Sequence, residues 1–244
     1  MGARWSLVAV APRARSKPAV GTLPAPGLVI NGVSELYDYD ELRSRAEATM
    51  LVVRATTRTF VLGGSQSTDV LDDRAVSSLE LRRRRGGGGL VLLQPGDLWV
   101  DWWVPADDPR WHSDVQVSSI AAGRWWRDVL ARHIASEPVV HQGHLEGDPK
   151  LRVVCFAGRG PGEVFVEGRK AVGLTQWRVR EGIFLSSVLH ARSSLPVLDV
   201  LRRPPDGLAE ALGHHTVSSL GIHDPEALIG DLAVESGPWK VREL

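Results

Sequence analysis

Four consecutive glycines, residues 86–89, follow four consecutive arginines, residues 82–85, and lead straight into the apolar run Leu90-Val91-Leu92-Leu93. No helix or strand interior accommodates such a block, because glycine loses more backbone freedom on folding than any other residue. A loop is therefore forced here, with N–H groups able to turn toward one point. The side chains beside it are guanidinium forks, the shape best suited to two-point contact with phosphate or carboxylate. Cations, bare backbone donors and flanking apolar segments together describe an anion cradle between two strands. The arginines alone would read as a solvated strand end. A second segment, Glu167-Gly168-Arg169-Lys170-Ala171-Val172-Gly173, shifts the balance by offering a lysine in a glycine-flanked setting. Lysine occurs only at positions 17, 150, 170 and 240, among 29 basic residues. Generic positive charge in this chain is carried by arginine, so Lys170 stands out.

With 244 residues there is room for one large domain, or for one domain and a small appendage. A hydrophobic content of 43% supports a packed core. Formal net charge is zero, so bulk electrostatics do not favour nucleic acid. No apolar stretch approaches the 18 or so residues of a membrane span. The short apolar run of residues 5–11 lacks a signal-peptide pattern. Gly2 with Ser6 fits only a loose myristoylation pattern. The single cysteine, Cys155, excludes an internal disulfide and a cysteine-based zinc site. A cytoplasmic location is expected.

Pattern reading gives a mixed α and β chain rich in sheet hairpins, without strict βαβ alternation. Residues 1–30, rich in Pro, Ala and Arg, form an N-terminal segment, irregular in part, with a strand at 28–30 and a turn at Asn31-Gly32. A helix is expected over 34–47, then buried strands over 50–53 and 59–62. A short helix over 69–78 and a strand over 79–83 lead into the glycines. Residues 90–93 and 98–104 flank Pro95-Gly96-Asp97 and read as a hairpin. The clearest helix starts at Ser113, with Gln116 completing a capping box, and turns Val117, Ile120, Ala121, Trp125 and Val129 inward. A strand over 151–156 precedes a meander at 163–166, 171–179 and 183–189. Two short helices, 207–212 and 224–234, close the chain. Nine tryptophans offer stacking surfaces, but 99, 102, 103, 125 and 126 fall in strand or helix patterns and read mostly as core.

Several segments together resemble one family. Arg83-Arg84-x-Gly86-Gly87-Gly88-Gly89-x-Val91, followed by Gly96-Asp97-Leu98, resembles the RRx[ST]GGGxV…GNL element of lipoate–protein ligases and octanoyltransferases. Upstream, Val61-Leu62-Gly63-Gly64-Ser65-Gln66 is similar to the strand and loop that precede it there. Downstream, Val154-Cys155-Phe156 and Val166-Glu167-Gly168-Arg169-Lys170-x-x-Gly173-x-x-Gln176 resemble the family's CF…VxGRKxxGSAQ segment. The likeness runs from about residue 36 to residue 189. It implies an α+β fold, a mixed and largely antiparallel sheet flanked by helices, shared with biotin–protein ligase catalytic domains. It also implies a catalytic domain over 31–195 with 196–244 as a helical tail on the same domain. The implied chemistry is transfer of an octanoyl or lipoyl group to a lysine of a lipoyl carrier domain, on the E2 subunit of a 2-oxoacid dehydrogenase or on the glycine cleavage H protein.

By that resemblance, Lys170 stands against the acyl carbonyl, and Arg83, Arg84, Gly87, Gly88, Gly89, Gln66, Gly173 and Thr175 bind the acyl donor. The strands around residues 90–104 are expected to wall an apolar slot for the chain. One branch of the family carries the acyl group on a cysteine and takes it from acyl carrier protein, without a cofactor. Another activates the free acid with ATP and magnesium. Cys155 therefore has two open readings, an acyl-carrying nucleophile or a small buried hydrophobe. Departures from the family pattern are Gly86 for Ser or Thr, Leu92-Leu93 for an aromatic-His pair, Gly173-Leu174-Thr175-Gln176 for Gly-Ser-Ala-Gln, and Leu185-Ser186 for His-Gly. They keep open a non-catalytic relative that binds an acyl or nucleotide ligand. The loop Gly158-Arg159-Gly160-Pro161-Gly162 lacks the ending of a phosphate loop and reads as a connector, one that could move over the site. His141 and His144 have no evident carboxylate partners and read as structural or exposed.

Overall fold

The computed structural model describes residues 6–9, 34–35, 39–76 and 80–234. The expected strand at 28–30 and the Asn31-Gly32 turn lie outside them. Three short elements come first: strands β1 (Ser6–Ala9) and β2 (Ser34–Glu35) and helix α1 (Tyr39–Arg43). The helix expected over 34–47 is thus reduced to five residues, Tyr39–Arg43, with a strand before it. Strands β3 (Thr49–Arg54) and β4 (Thr59–Leu62) form where β-branched and aromatic residues cluster. The helix expected over 69–78 is broken into a 3₁₀ turn, Thr68–Val70, and the four-residue α2 (Asp73–Val76). Leu71 pairs with Leu201 between them, so tertiary packing overrides a continuous helix.

Strands β5 (Glu80–Arg83), β6 (Val91–Leu93) and β7 (Leu98–Pro105) follow. The last two do not make the expected hairpin. The chain does turn at Pro95-Gly96, where Gly96 takes φ 95°. However, β6 pairs with β4, while β7 pairs with β3 and with a strand far along the chain. Asp97 explains the split. Its buried carboxylate accepts from the N–H groups of Gln94 and Ala191 and meets His190 Nδ1 at 2.6 Å, which ties the turn to the end of the later strand, residues 182–189, that pairs with β7.

Helix α3 (Val115–Leu130) is capped by Asp114, one residue later than expected, its carboxylate accepting from the N–H groups of Gln116 and Val117. An edge strand, β8 (Pro138–Val140), comes next. Residues 151–156 are not a strand. Pro149 and the Asp148 cap start a 3₁₀ helix, Pro149–Val153, and a second runs Cys155–Ala157. Only the contact of Leu90 with Val154 is strand-like there. The meander forms as β9 (Val164–Val166), β10 (Arg169–Val179) and β11 (Gly182–Leu189). A 3₁₀ helix, Leu195–Val200, and helices α4 (Leu208–His215) and α5 (Pro225–Val234) complete the fold.

Two sheets result. The larger has the order β1-β3-β7-β11-β10-β9-β8 and is antiparallel except at β1-β3. The smaller has the order β2-β5-β4-β6 and pairs in parallel except at β4-β6. The fold is α+β, largely antiparallel in its main sheet and flanked by helices. Side-chain alternation along β7 sends Trp99 and Trp103 into the layer between the sheets, and Val100, Trp102 and Val104 against α3. Leu208 and Leu212 of α4 join the first core, and Leu228 and Leu232 of α5 join the second. The five tryptophans named above are buried. No helix among the described residues is long and apolar enough to cross a membrane.

Candidate functional site

Lys170 owes its position to the β9–β10 hairpin. Glu167 and Gly168 take φ 52° and 75°, the two-residue turn whose twist suits a hairpin. The register then slips between Lys170 and Val172, a bulge that re-aims the lysine. Its side chain is only 1% exposed. Nζ donates to the carbonyl oxygens of Cys155 (2.8 Å) and Gly158 (3.2 Å) and lies 2.6 Å from Glu163 Oε1. Three donors thus meet three oxygens, which fixes the direction of the ammonium. Phe156 presents its ring face 4.9 Å from Nζ. Glu163 is buried as well, and its Oε2 accepts from Gly160 N at 2.7 Å. Burial raises the Glu163 pKa, and the charge of Lys170 and its hydrogen bond oppose that rise.

A cavity of about 390 Å³ opens beside this pair. Lys170, Glu163, Gly158 and Gly160 line one side, and Gly87, Gly88 and Gly89 another. Cys155, Leu174, Thr175 and Gln176 complete the wall, with Leu145 and Arg152 also lining it. The glycine block, Lys170, Cys155 and Thr175 are therefore brought together from distant parts of the sequence. The loop of residues 158–162 belongs to the site, because its Gly158 carbonyl and Gly160 amide hold the Lys170–Glu163 pair.

Arg83, Arg84 and Gln66 do not line this cavity. Arg83 donates to the carbonyl oxygens of Gly63, Gly64 and Gln66. Arg84 is 1% exposed and donates to those of Val61, Gly87 and Gly89. Burial lowers the Arg84 pKa, against the opposing influence of Cys155, Tyr39 and Asp101. Gln66 donates to Val153 O and accepts from Gly63 N. All three side chains bind backbone instead of facing this cavity: Arg84 holds the glycine block, and Arg83 and Gln66 hold the neighbouring loop of residues 63–66. Gly173 passes close to the site, and a Cβ there would lie 3.1 Å from Phe156 and 3.5 Å from Lys170. The expected apolar slot along residues 90–104 is absent from this cavity. Those side chains are consumed by the two cores, and Val91 and Trp99 touch only a smaller cavity nearby.

One departure in the sequence is explained by the structure. A Cβ on Gly86 would stand 2.7 Å from Thr175 Oγ1. Thr175 donates that hydroxyl to Gly87 O at 3.0 Å. A hydroxyl missing from the loop is thus supplied from β10, and the glycine makes room for it. Leu92 and Leu93 are simply core. Glu163 and Asp101 were not singled out by sequence reasoning, nor was Ser119, which also lines the cavity. Gln176, seen only as part of a motif, donates to Val115 O and Ser119 Oγ and so ties α3 to the cavity wall. His141 meets His144 O, and no group of three metal-ligating side chains occurs among the described residues.

No family model and no curated protein matches the chain. Solved structures do. Lipoate-protein ligase A bound with ATP aligns over 82% of this chain and 90% of its own, with TM-score 0.54 and 17% identity. A bipartite lipoate protein ligase from Thermoplasma acidophilum, described with its E2 lipoyl domain, aligns over 81% and 75%, with TM-score 0.54 and 17% identity. A T. acidophilum protein with bound lipoic acid aligns over 80% and 86%, with TM-score 0.51 and 17% identity. The chain has the fold of the lipoate–protein ligase catalytic domain.

Proposed function

We propose that this chain is an acyl-transfer enzyme of protein lipoylation, passing an octanoyl or lipoyl group to the ε-amine of a lysine on a lipoyl carrier domain. The observation that carries the reading is the Lys170 ammonium, buried, aimed by Glu163 and facing the glycine block across a cavity. Attack on a thioester or mixed anhydride builds negative charge on the carbonyl oxygen, and a preorganised ammonium stabilises it. All three Lys170 donors are engaged, so the oxygen displaces one acceptor. The bond to Gly158 is the longer of its two carbonyl bonds. The catalytic unit in this reading is residues 31–195, with 196–244 as a tail packed on it, and the cytoplasm is its compartment. Arg83, Arg84, Gln66 and Gly173 serve by shaping the donor-binding loop and wall, while Gly87, Gly88, Gly89 and Thr175 face the donor.

Cys155 supports a thioester route. Its side chain is half-buried and it lines the cavity. In that route the thiolate attacks octanoyl-acyl carrier protein, the carrier thiol leaves, and the carrier-domain lysine amine then takes the acyl group from sulfur. The second reading is ATP-dependent ligation with magnesium, supported by the likeness to an ATP-bound ligase over 90% of that chain. There Cys155 has no covalent role. Intact-protein mass spectrometry after incubation with octanoyl-acyl carrier protein separates the two. One added octanoyl group, labile to hydroxylamine and absent from Cys155→Ser, supports the thioester route. No adduct, with transfer from lipoate and ATP, supports the ligase. Failure of both sinks the enzyme reading.

A further inference from the structure

Ser119, in the second turn of α3, is 8% exposed and lines the large cavity. Its neighbours fix its hydrogen bonding. Gln176 Oε1 accepts from Arg178 Nε at 2.9 Å, and Gln176 Nε2 donates to Val115 O at 2.7 Å. A guanidinium only donates and a carbonyl oxygen only accepts, so the amide has one orientation. The same Nε2 lies 2.7 Å from Ser119 Oγ. An amide nitrogen only donates, so Ser119 is the acceptor there and keeps its own proton to give elsewhere. Among the described residues no acceptor takes that proton. The usual outlet for a serine inside a helix is the carbonyl four residues back, and Ser118 uses it, donating to Asp114 O at 3.0 Å. For Ser119 that carbonyl is Val115 O, and Gln176 bonds it instead. The other hydroxyl and ammonium donors on the cavity wall are committed. Lys170 meets three oxygens, and Thr175 gives its hydroxyl to Gly87 O. A buried donor left without an acceptor is costly, so the partner of Ser119 comes from what fills the cavity.

We propose that Ser119 donates a hydrogen bond to an acceptor oxygen on the leaving-group part of the bound acyl donor, and that Gln176 holds it in that role. The proposal rests on the acyl-transfer reading above and refines it. In that reading Lys170 takes the acyl carbonyl oxygen, which leaves Ser119 for the part of the donor beyond the reacting carbon. Both donor classes carry suitable oxygens there. The pantetheine arm of an acyl carrier protein has amide carbonyls and a phosphate, and an acyl-adenylate has a phosphate.

The test is isothermal titration of the full chain with unreactive donor analogues. One is an acyl-adenylate analogue. The other is octanoyl-pantetheine with CH₂ in place of its sulfur, prepared with and without the terminal phosphate. Octanoate is the reference ligand. Ser119→Ala should weaken donor binding by about threefold to tenfold where a carbonyl accepts, and by about tenfold or more where a phosphate does. A loss confined to phosphate-bearing analogues identifies the phosphate, and an equal loss with and without it identifies the amide. Octanoate should bind both proteins alike. Gln176→Glu is the second variant. Its carboxylate accepts where the amide donated and takes the Ser119 proton, so donor binding should fall as in Ser119→Ala although the hydroxyl is still present. The two substitutions together should lose no more than either alone. Unchanged donor affinity in Ser119→Ala or in Gln176→Glu, or an equal loss for octanoate, overturns the proposal. So does a wild-type protein that binds no analogue while octanoyl transfer proceeds. Absence of both analogue binding and octanoyl transfer brings down the acyl-transfer reading itself, a distinct outcome.

Discussion

Lys170 and Glu163 form one unit, because each is the other's buried counter-charge. Lys170→Met should cost about 3–5 kcal/mol of stability by leaving Glu163 buried without a cation. Adding Glu163→Gln should restore most of that loss, as read from urea unfolding, while transfer stays down by about a hundredfold or more. A double variant that folds and keeps the wild-type rate would remove Lys170 from the chemistry. Asp101 makes a prediction of the opposite kind. Burial pushes its pKa from 3.8 up to about 7. Between those values the folded chain holds a proton that the unfolded chain has released. The contribution of Asp101 is therefore full below its unfolded pKa and is lost as pH rises through 7. From pH 5 to pH 8 the loss amounts to about 2–3 kcal/mol. Glu163 pulls in the same direction, so the informative comparison is wild type against Asp101→Asn, whose decline over that range should be shallower by that amount. An equal decline in the two proteins sinks this account. Of these residues only Lys170 was legible in the sequence, through the scarcity of lysine and its glycine-flanked setting. Glu163 becomes meaningful only once the hairpin folds it back on Lys170. Asp101 did leave a trace. Alternation along residues 98–104 puts it on the same face as Trp99 and Trp103, a carboxylate at an inward position.

Close approach of elements around the cavity depends on two glycines that face each other. A Cβ on Gly123 of α3 would come 2.0 Å from Gly162 O, and one on Gly162, where φ is 83°, would come 2.0 Å from Ser119 O. Backbone blocks both, so neither can yield by a side-chain rotation. Gly123→Ala should destabilise by about 1–3 kcal/mol, and Gly162→Ala by more because strain adds to the clash. Both should also slow transfer, since the displaced loop carries the Gly158 carbonyl and the Gly160 amide. Gly213→Ala is the contrast. It sits within α4 with nothing near its missing Cβ, and should stabilise by about 0.5–1 kcal/mol with the rate unchanged. Thermal melts of the three variants check the ordering, and a Gly123→Ala protein as stable as Gly213→Ala sinks it. Strands β3, β4, β5, β9, β10 and β11 and helix α3 were readable because their apolar periods are local. The separation of β6 from β7 was not, because it is decided by Asp97 bonding to residues 190 and 191, far along the chain. The 3₁₀ segment at 149–153 was missed for a local reason, as Pro149 beside an Asp cap outweighs an apolar run that reads as strand.

At the scale of the whole molecule, the C-terminal helices close both cores. Leu208 and Leu212 sit in the layer between the sheets, and Leu228 and Leu232 sit against α3 and the outer face of the main sheet. Burial of one leucine is worth about 1.5–3 kcal/mol, so four are worth about 6–12 kcal/mol. That is comparable with the entire stability of an ordinary domain, about 5–15 kcal/mol. The tail also reaches the site. Arg169 donates to the Gly213 and Thr216 carbonyls, and Lys170 pairs with Thr216 through backbone. Ending the chain at residue 223 removes α5 alone and two of the leucines. That protein should remain folded, with stability lower by about 3–6 kcal/mol. Ending it at residue 203 opens both cores and frees the Lys170 hairpin from its neighbour, and that protein should lose cooperative unfolding altogether. Near-ultraviolet circular dichroism reports the tryptophan packing of both cores, and urea titration reports cooperativity. A chain of 203 residues with a sharp urea transition and an intact near-ultraviolet spectrum would show that the sheets and α3 stand alone, and that the tail is an accessory instead of part of the same folding unit.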